Sequence, residues 1–173
     1  LNTVSALMDE HIGDARKVLS RLGQLLRITL DQSRADRVSL EQEIDYVRNY
    51  LDIESIRFRD RIQVRYEVPA ELLKAQVPGL VLQPLVENAI KHGTDDAHAQ
   101  VELTVRAQRF DGRLALEVAD NGKGCRDVHK AMSNGGIGLR NVRERMRLLY
   151  GESGTLTIES PNGHGFTATV SLP

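Results

Sequence analysis

The hydrophobic period of this 173-residue chain changes once, near Arg61, from about 3.6 residues to 2. Upstream, Leu1, Val4, Met8, Ala15, Val18, Leu22 and Leu25 recur at the three- and four-residue spacing of a helix seam, widened by Leu7, Leu19 and Leu26. One helix cannot bury so broad a stripe on itself, so a first helix over about residues 1–30 needs a partner. Ser39 with Gln42 forms a capping box, and Leu40, Ile44, Val47, Leu51 and Phe58 carry a second amphipathic helix to about residue 58. The polar stretch Asp31 to Arg37 is short enough to make the two helices antiparallel neighbours. Two helices give a thin core, so the expectation is a homodimer that completes a four-helix bundle.

Downstream, Ile62, Val64, Tyr66 and Val68 alternate with polar residues and open a new domain with a half-buried strand. Leu80 to His92 reads as a helix, with Pro84 tolerable only in its first turn, and Val101 to Ala107 as a strand. Asp111-Gly112 closes a hairpin into Leu114 to Val118. A glycine-rich polar loop, Asp120 to Gly136, leads into a helix over Ile137 to Tyr150. Strands Thr155 to Ser160 and Phe166 to Leu172 then flank the turn Pro161-Asn162-Gly163. The order is α+β without internal repeats, with a helical hairpin over 1–58 and a second domain over 59–173.

Lys and Arg total 23 against 24 for Asp and Glu, so the net charge of -1 provides no long-range attraction for nucleic acid, and no direct nucleic-acid partner is expected. The single cysteine, Cys125, excludes an intrachain disulfide and a cysteine-based metal site, which suits a reducing compartment. No run approaches the ~20 apolar residues of a membrane helix, so this segment is read as cytoplasmic and outside the membrane. The sequence enters helical periodicity at once from Leu1, and the expectation is a piece of a longer protein.

Three segments carry chemistry: Glu87-Asn88-Ala89-Ile90-Lys91-His92-Gly93, Asp120-Asn121-Gly122-Lys123-Gly124, and Gly135-Gly136-Ile137-Gly138-Leu139-Arg140-Asn141. Alone, each has a plain structural reading as a solvated helix face, a turn or a flexible loop. In this order they meet the needs of a nucleoside triphosphate: a carboxylate for the adenine amino group, backbone that approaches phosphates, and oxygen for Mg²⁺. Asp120 can supply the first, and the glycines before the Ile137 helix place N–H groups where anions are favoured. Asn88 can offer oxygen to Mg²⁺, and Lys91, one turn on, can reach the terminal phosphate.

With these segments in view, the chain resembles the GHKL ATPases with the Bergerat nucleotide-binding fold, and within them the LytS-type sensor histidine kinases. Leu82-Gln83-Pro84-Leu85-Val86-Glu87-Asn88-Ala89-Ile90-Lys91-His92-Gly93 is similar to that subfamily's N box. Asp120 to Gly124 resembles its first glycine box and Gly136 to Asn141 its second. Tyr50-Leu51-Asp52-Ile53-Glu54-Ser55-Ile56-Arg57-Phe58 is similar to the segment joining its helical and catalytic parts. The resemblance implies a Bergerat-fold α/β sandwich, a mixed sheet covered by helices on one face, preceded by the two-helix dimerisation hairpin. It implies ATP and Mg²⁺ as ligands, with Asn88 on the metal, Glu87 as general base or polariser, and Lys91 and His92 on phosphates. It further implies Asp120 on adenine, Gly122 and Gly124 at the base pocket, Gly136 and Gly138 in a mobile lid, and Lys123, Leu139 and Arg140 as nucleotide contacts. Gly163-His164-Gly165 resembles the start of a third glycine box; Phe166 stands where threonine is common, and Thr167 is the expected pocket residue there.

In this subfamily the phosphoacceptor histidine lies in a motif reading His-Phe-Leu-Phe-Asn-Thr-Leu, whose tail Leu1-Asn2-Thr3-Val4 resembles, so the acceptor is expected upstream of Leu1. His11 sits in the apolar seam and is expected to pack there. Arg143, Arg145 and Arg147 are expected on a solvated face. The resemblance also implies a response regulator receiver domain as partner and a membrane-anchored parent. The alternatives are another GHKL ATPase or serine kinase, or a nucleotide-binding dimerisation module without transfer.

Overall fold

The computed structural model describes residues 12–34, 36–58, 61–93, 100–125, 127–128, 137–161 and 164–173. In chain order they form α1 (Ile12–Arg34), β1 (Arg37–Ser39), α2 (Leu40–Arg57), β2 (Ile62–Glu67), β3 (Gln76–Pro78), α3 (Gln83–Gly93), β4 (Val101–Phe110), β5 (Arg113–Asp120), α4 (Ile137–Tyr150), β6 (Thr155–Glu159) and β7 (Phe166–Leu172). Leu1, Val4 and Met8 of the seam, and His11, lie outside the described residues.

Helix α1 continues to Arg34, four residues past the expected Leu30, because Asp31 to Arg34 contains neither Gly nor Pro to stop it. Val18 and Leu25 of α1 pack against Tyr46 and Ile53 of α2, and Arg21 pairs with Asp52 at 3.1 Å. Ile12, Leu19 and Leu26, seven residues apart, remain exposed as one stripe.

The start of α2 matches its sequence signature. Ser39 has extended backbone, its hydroxyl accepts from the Gln42 N–H at 3.2 Å, and its own N–H donates to Gln42 Oε1 at 2.9 Å. Ser39→Ala is expected to cost about 1 kcal/mol and to lower the thermal midpoint by about 2–4 °C, read by calorimetry; an unchanged midpoint would show that the cap contributes nothing. The pairing that precedes this cap was not legible in sequence: β1 runs antiparallel to β3, with Val38 opposite Val77. The N–H groups of Leu40 and Glu41 continue the stitching, donating to Ala75 and Leu73 carbonyls at 2.9 Å each. Helix α2 therefore has two buried sides. Tyr46 and Ile53 face α1, whereas Leu40, Ile44, Val47 and Leu51 join the main core.

That core lies under a mixed five-stranded sheet in the order β2-β4-β5-β7-β6, with β2 parallel to β4 and every other pair antiparallel. Asp111 (φ 49) and Gly112 (φ 75) make the β4–β5 turn, both in the left-handed region that a two-residue hairpin of this twist requires. Burial alternates along the central strands, so Leu103, Val105, Leu116, Val118, Ala168 and Val170 form one apolar face. Leu85, Val86, Ala89 and Ile90 of α3 and Leu139, Val142 and Met146 of α4 belong to the same buried core. The opposite face is polar: Arg106 bridges Glu67 at 2.7 Å and Glu117 at 2.9 Å. The result is the expected α+β sandwich preceded by helices.

Candidate functional site

Helix α3 sorts its residues by face. Leu85, Val86, Ala89, Ile90 and Gly93 are buried, Glu87, Lys91 and His92 are exposed, and Asn88 is half-buried. Glu87 with Lys91, and Asn88 with His92, are each one helical repeat apart, so the four polar groups share one side. Glu87 Oε1 accepts from the Gln83 amide at 2.6 Å, which orients it from one turn earlier. The helix begins at Gln83 and not at Leu80, because Leu80 has φ 58 and its neighbours form a turn. Pro84 then occupies the first turn, where no intrahelical N–H bond is needed.

Asp120 ends β5 with only 8 % exposure. Its Oδ1 accepts from the Gly122 N–H at 2.9 Å, while its Oδ2 is buried with no hydrogen-bond partner among the described residues. Burial pushes its pKa from 3.8 up to about 6, opposed by the Gly122 N–H. An unfilled buried acceptor costs free energy that a ligand donor would recover. Gly122 permits the geometry, since a Cβ there would lie 2.8 Å from Asp120 Oδ1 and 3.1 Å from the Gly93 Cα. The end of α3 and the loop after β5 thus meet at a contact no side chain would fit.

Around this contact the loops are tied by long-range bonds. Asn121 Oδ1 accepts from Glu102 N–H at 2.9 Å, and the Gly122 carbonyl accepts from Gly165 N–H at 2.7 Å. Ser160 Oγ accepts from Cys125 N–H at 2.9 Å and donates to the Gly165 carbonyl at 2.7 Å. His92, Gly93, Gln100, Asn121, Gly122, Lys123 and His164 line a cavity of about 190 Å³. That volume is below the ~300–1,000 Å³ of a full small-molecule site, and Asp120 is not among the residues that line it.

His92, Gly122 and Lys123 line this cavity together, and Asp120 is tied to it through the Gly122 N–H; Gly124 follows in the loop with φ 66. Gly138 abuts α3, where a Cβ would lie 3.2 Å from Pro84 Cβ, and Arg140 is exposed on the first turn of α4. Gly136 lies outside the described residues. Three residues sit otherwise than their sequence context suggests. Leu139 is a core residue at 5 % exposure, because the helical period turns it toward the sheet. Thr167 pairs with Ala119 and Phe166 with Asp120, and cross-strand partners share a face, so Phe166 lies on the face of Asp120 and Thr167 on the other. The third is Arg145, expected on a solvated face: it is half-buried and donates to the Gly79 carbonyl at 2.6 Å, since the turn before α3 folds over it. Gln100 and His164 also line the cavity, and of the two only His164 carries a sequence signal, its place between two glycines.

Among the described residues no three His, Cys, Asp or Glu side chains cluster as a metal site, and no helix is long and apolar enough to cross a membrane. Mg²⁺ held beside nucleotide phosphates needs only one or two protein oxygens, a demand that half-buried Asn88 fits.

Comparison with known proteins gives two family matches: the histidine kinase family over residues 1–62, and the histidine kinase-, DNA gyrase B-, and HSP90-like ATPase family over residues 75–173. The sensor protein LytS of Bacillus cereus is 34% identical over 182 residues, covering 100% of this chain and 31% of its own length. The sensor histidine kinase BtsS of Escherichia coli is 33% identical over 173 residues, covering 100% of this chain and 30% of its own. The chain thus spans about a third of the length of these curated relatives. Among solved structures, the histidine kinase domain of the Erythrobacter litoralis blue-light activated histidine kinase aligns with a TM-score of 0.63 at 21% identity, over 90% of this chain and 74% of that one. The catalytic domain of histidine kinase ThkA aligns with a TM-score of 0.61 at 15% identity, over 79% and 94%, and both share the fold.

Proposed function

The chain belongs to the histidine kinase-, DNA gyrase B-, and HSP90-like ATPases, among the LytS-type sensor histidine kinases, and on that premise we propose that it is the ATP-binding catalytic region of a two-component sensor kinase. In this reading the γ-phosphate of ATP passes to a histidine and then to an aspartate of a response regulator receiver domain. The observation that carries it is Asp120: a buried carboxylate with one oxygen committed to Gly122 and the other free for the adenine amino group. Lys91 and His92 meet phosphate charge from the polar side of α3, and Arg140 from the first turn of α4. Asn88 would hold Mg²⁺, which would supply neutralisation of phosphate charge. Glu87, oriented by Gln83, orients or polarises the attacking imidazole.

The exposed Ile12–Leu19–Leu26 stripe supports a homodimer through the helices, since a stripe at heptad spacing is buried by pairing with a second copy. It also favours this reading over a serine kinase or another GHKL ATPase. A membrane-anchored parent with this region on the cytoplasmic side completes the proposal.

The test is transfer from γ-labelled ATP in the whole protein. Acid-labile, base-stable label establishes a phosphohistidine. Tight ATP binding without label would replace the kinase by a nucleotide-binding module.

A further inference from the structure

Glu43 of α2 is 1 % exposed, yet nothing in the ATP site uses it. Its two oxygens accept from the backbone N–H groups of Leu80 at 2.5 Å and Leu82 at 2.9 Å, in the turn that leads into α3. A carboxylate out of water is tolerated only while its acceptors are filled, so this group and this turn hold each other in place. Burial raises the Glu43 pKa, and the Leu82 and Leu80 N–H groups and the charge of Arg145 oppose the rise.

The turn itself is strained and multiply held. Leu80 has φ 58, a conformation that a bulky residue keeps only where its surroundings impose it. Arg145 of α4 grips the same turn from its carbonyl side, at Gly79. Leu82 is fixed at both ends: its N–H by Glu43, and its carbonyl by the N–H groups of Leu85 at 3.1 Å and Val86 at 3.0 Å, the first bonds of α3. Four residues, 79 to 82, therefore receive a hold from α2 and a hold from α4, and launch the helix that carries Glu87 and Asn88.

We infer that Glu43 is a positioning residue that couples the helical hairpin to the nucleotide site, passing the placement of α2 through the Gly79–Leu82 turn to Glu87 and Asn88. The inference rests on the ATP reading above. A carboxylate suits the task because two N–H groups need two acceptors; an amide would turn its NH₂ toward one of them. Coupling of this kind is reciprocal, so nucleotide at α3 in turn stiffens the hold on α2.

The test uses the full chain in four forms: unaltered, Glu43→Gln, Glu43→Asp, and Val170→Ala as a core-cavity control away from the turn. Two quantities are read: the affinity for a non-hydrolysable ATP analogue with Mg²⁺, and amide hydrogen exchange along α3. Glu43→Gln is expected to weaken binding about tenfold and to speed exchange in α3, with Glu43→Asp intermediate because it keeps the charge but is one methylene shorter. Val170→Ala, at a comparable loss of thermal stability, is expected to change binding less than about twofold. Binding by Glu43→Gln within about twofold of the unaltered chain, or a loss no larger than that of Val170→Ala, would overturn the coupling. If Glu43→Gln does not fold, the same criteria apply to Glu43→Asp. An unaltered chain that fails to bind the analogue refutes the ATP reading separately. In that case α3 exchange in the ligand-free variants still decides for Glu43: acceleration confined to α3 supports it, and unchanged or uniform exchange refutes it.

Discussion

Asp120→Asn is expected to weaken ATP binding by roughly 30- to 1,000-fold, the equivalent of about 2–4 kcal/mol, and to erase the preference for ATP over GTP. In the native site Oδ1 accepts from Gly122 and Oδ2 is left for a second donor. An amide of the same shape has one acceptor and one donor. Whichever way it turns, its NH₂ confronts either the Gly122 N–H or the adenine amino group. Guanine presents a carbonyl at that place, to which an NH₂ donates and which a carboxylate repels. Titration calorimetry with both nucleotides checks this, and an Asn variant that binds ATP as tightly as the native chain removes Asp120 from base recognition.

The same carboxylate sets a pH dependence with a defined sign. Its pKa is raised from 3.8 to about 6 on folding, so between those values the native state binds more protons than the unfolded state. The stability of the ligand-free chain is thus greatest, as far as this group contributes, below pH 3.8 and falls as pH rises through about 6. ATP binding runs the other way, because the amino group needs the ionised acceptor: affinity weakens as pH drops through about 6. Denaturant midpoints across this range, native against Asp120→Asn, isolate the contribution of this carboxylate.

Glu87→Gln is expected to slow phosphoryl transfer by about 10²- to 10⁴-fold while changing ATP affinity less than about twofold. Glu87 is exposed on the polar side of α3 and held by Gln83, so the substitution keeps size and position and removes basicity. It packs against none of the core, and folding is expected to be unaffected. The separation matters for interpretation, because Asp120→Asn acts on binding and Glu87→Gln on the chemical step. Single-turnover transfer by the whole protein at saturating ATP reads the difference, and a Gln variant as fast as the native protein assigns the role elsewhere.

Everything set by local period and local chemistry was legible in the residues alone. The change of period at Arg61 separated helices from strands, Ser39 and Gln42 located the start of α2, and Asp111-Gly112 located a hairpin turn whose φ values demand such residues. Helix α4 and strand β7 fall on the expected bounds, and Gly122, Lys123 and His92, picked out from separate motifs, line one cavity. Tertiary structure alone decided the rest. The face taken by Thr167 depends on the register of β7 against β5, and the burial of Leu139 on where the sheet lies relative to α4. The turn at Leu80 exists because Glu43, 37 residues earlier, and Arg145, 66 residues after Gly79, converge on it. A hydrogen bond between residues so far apart leaves no periodic trace in either segment, since neither partner's local pattern changes when the other is present.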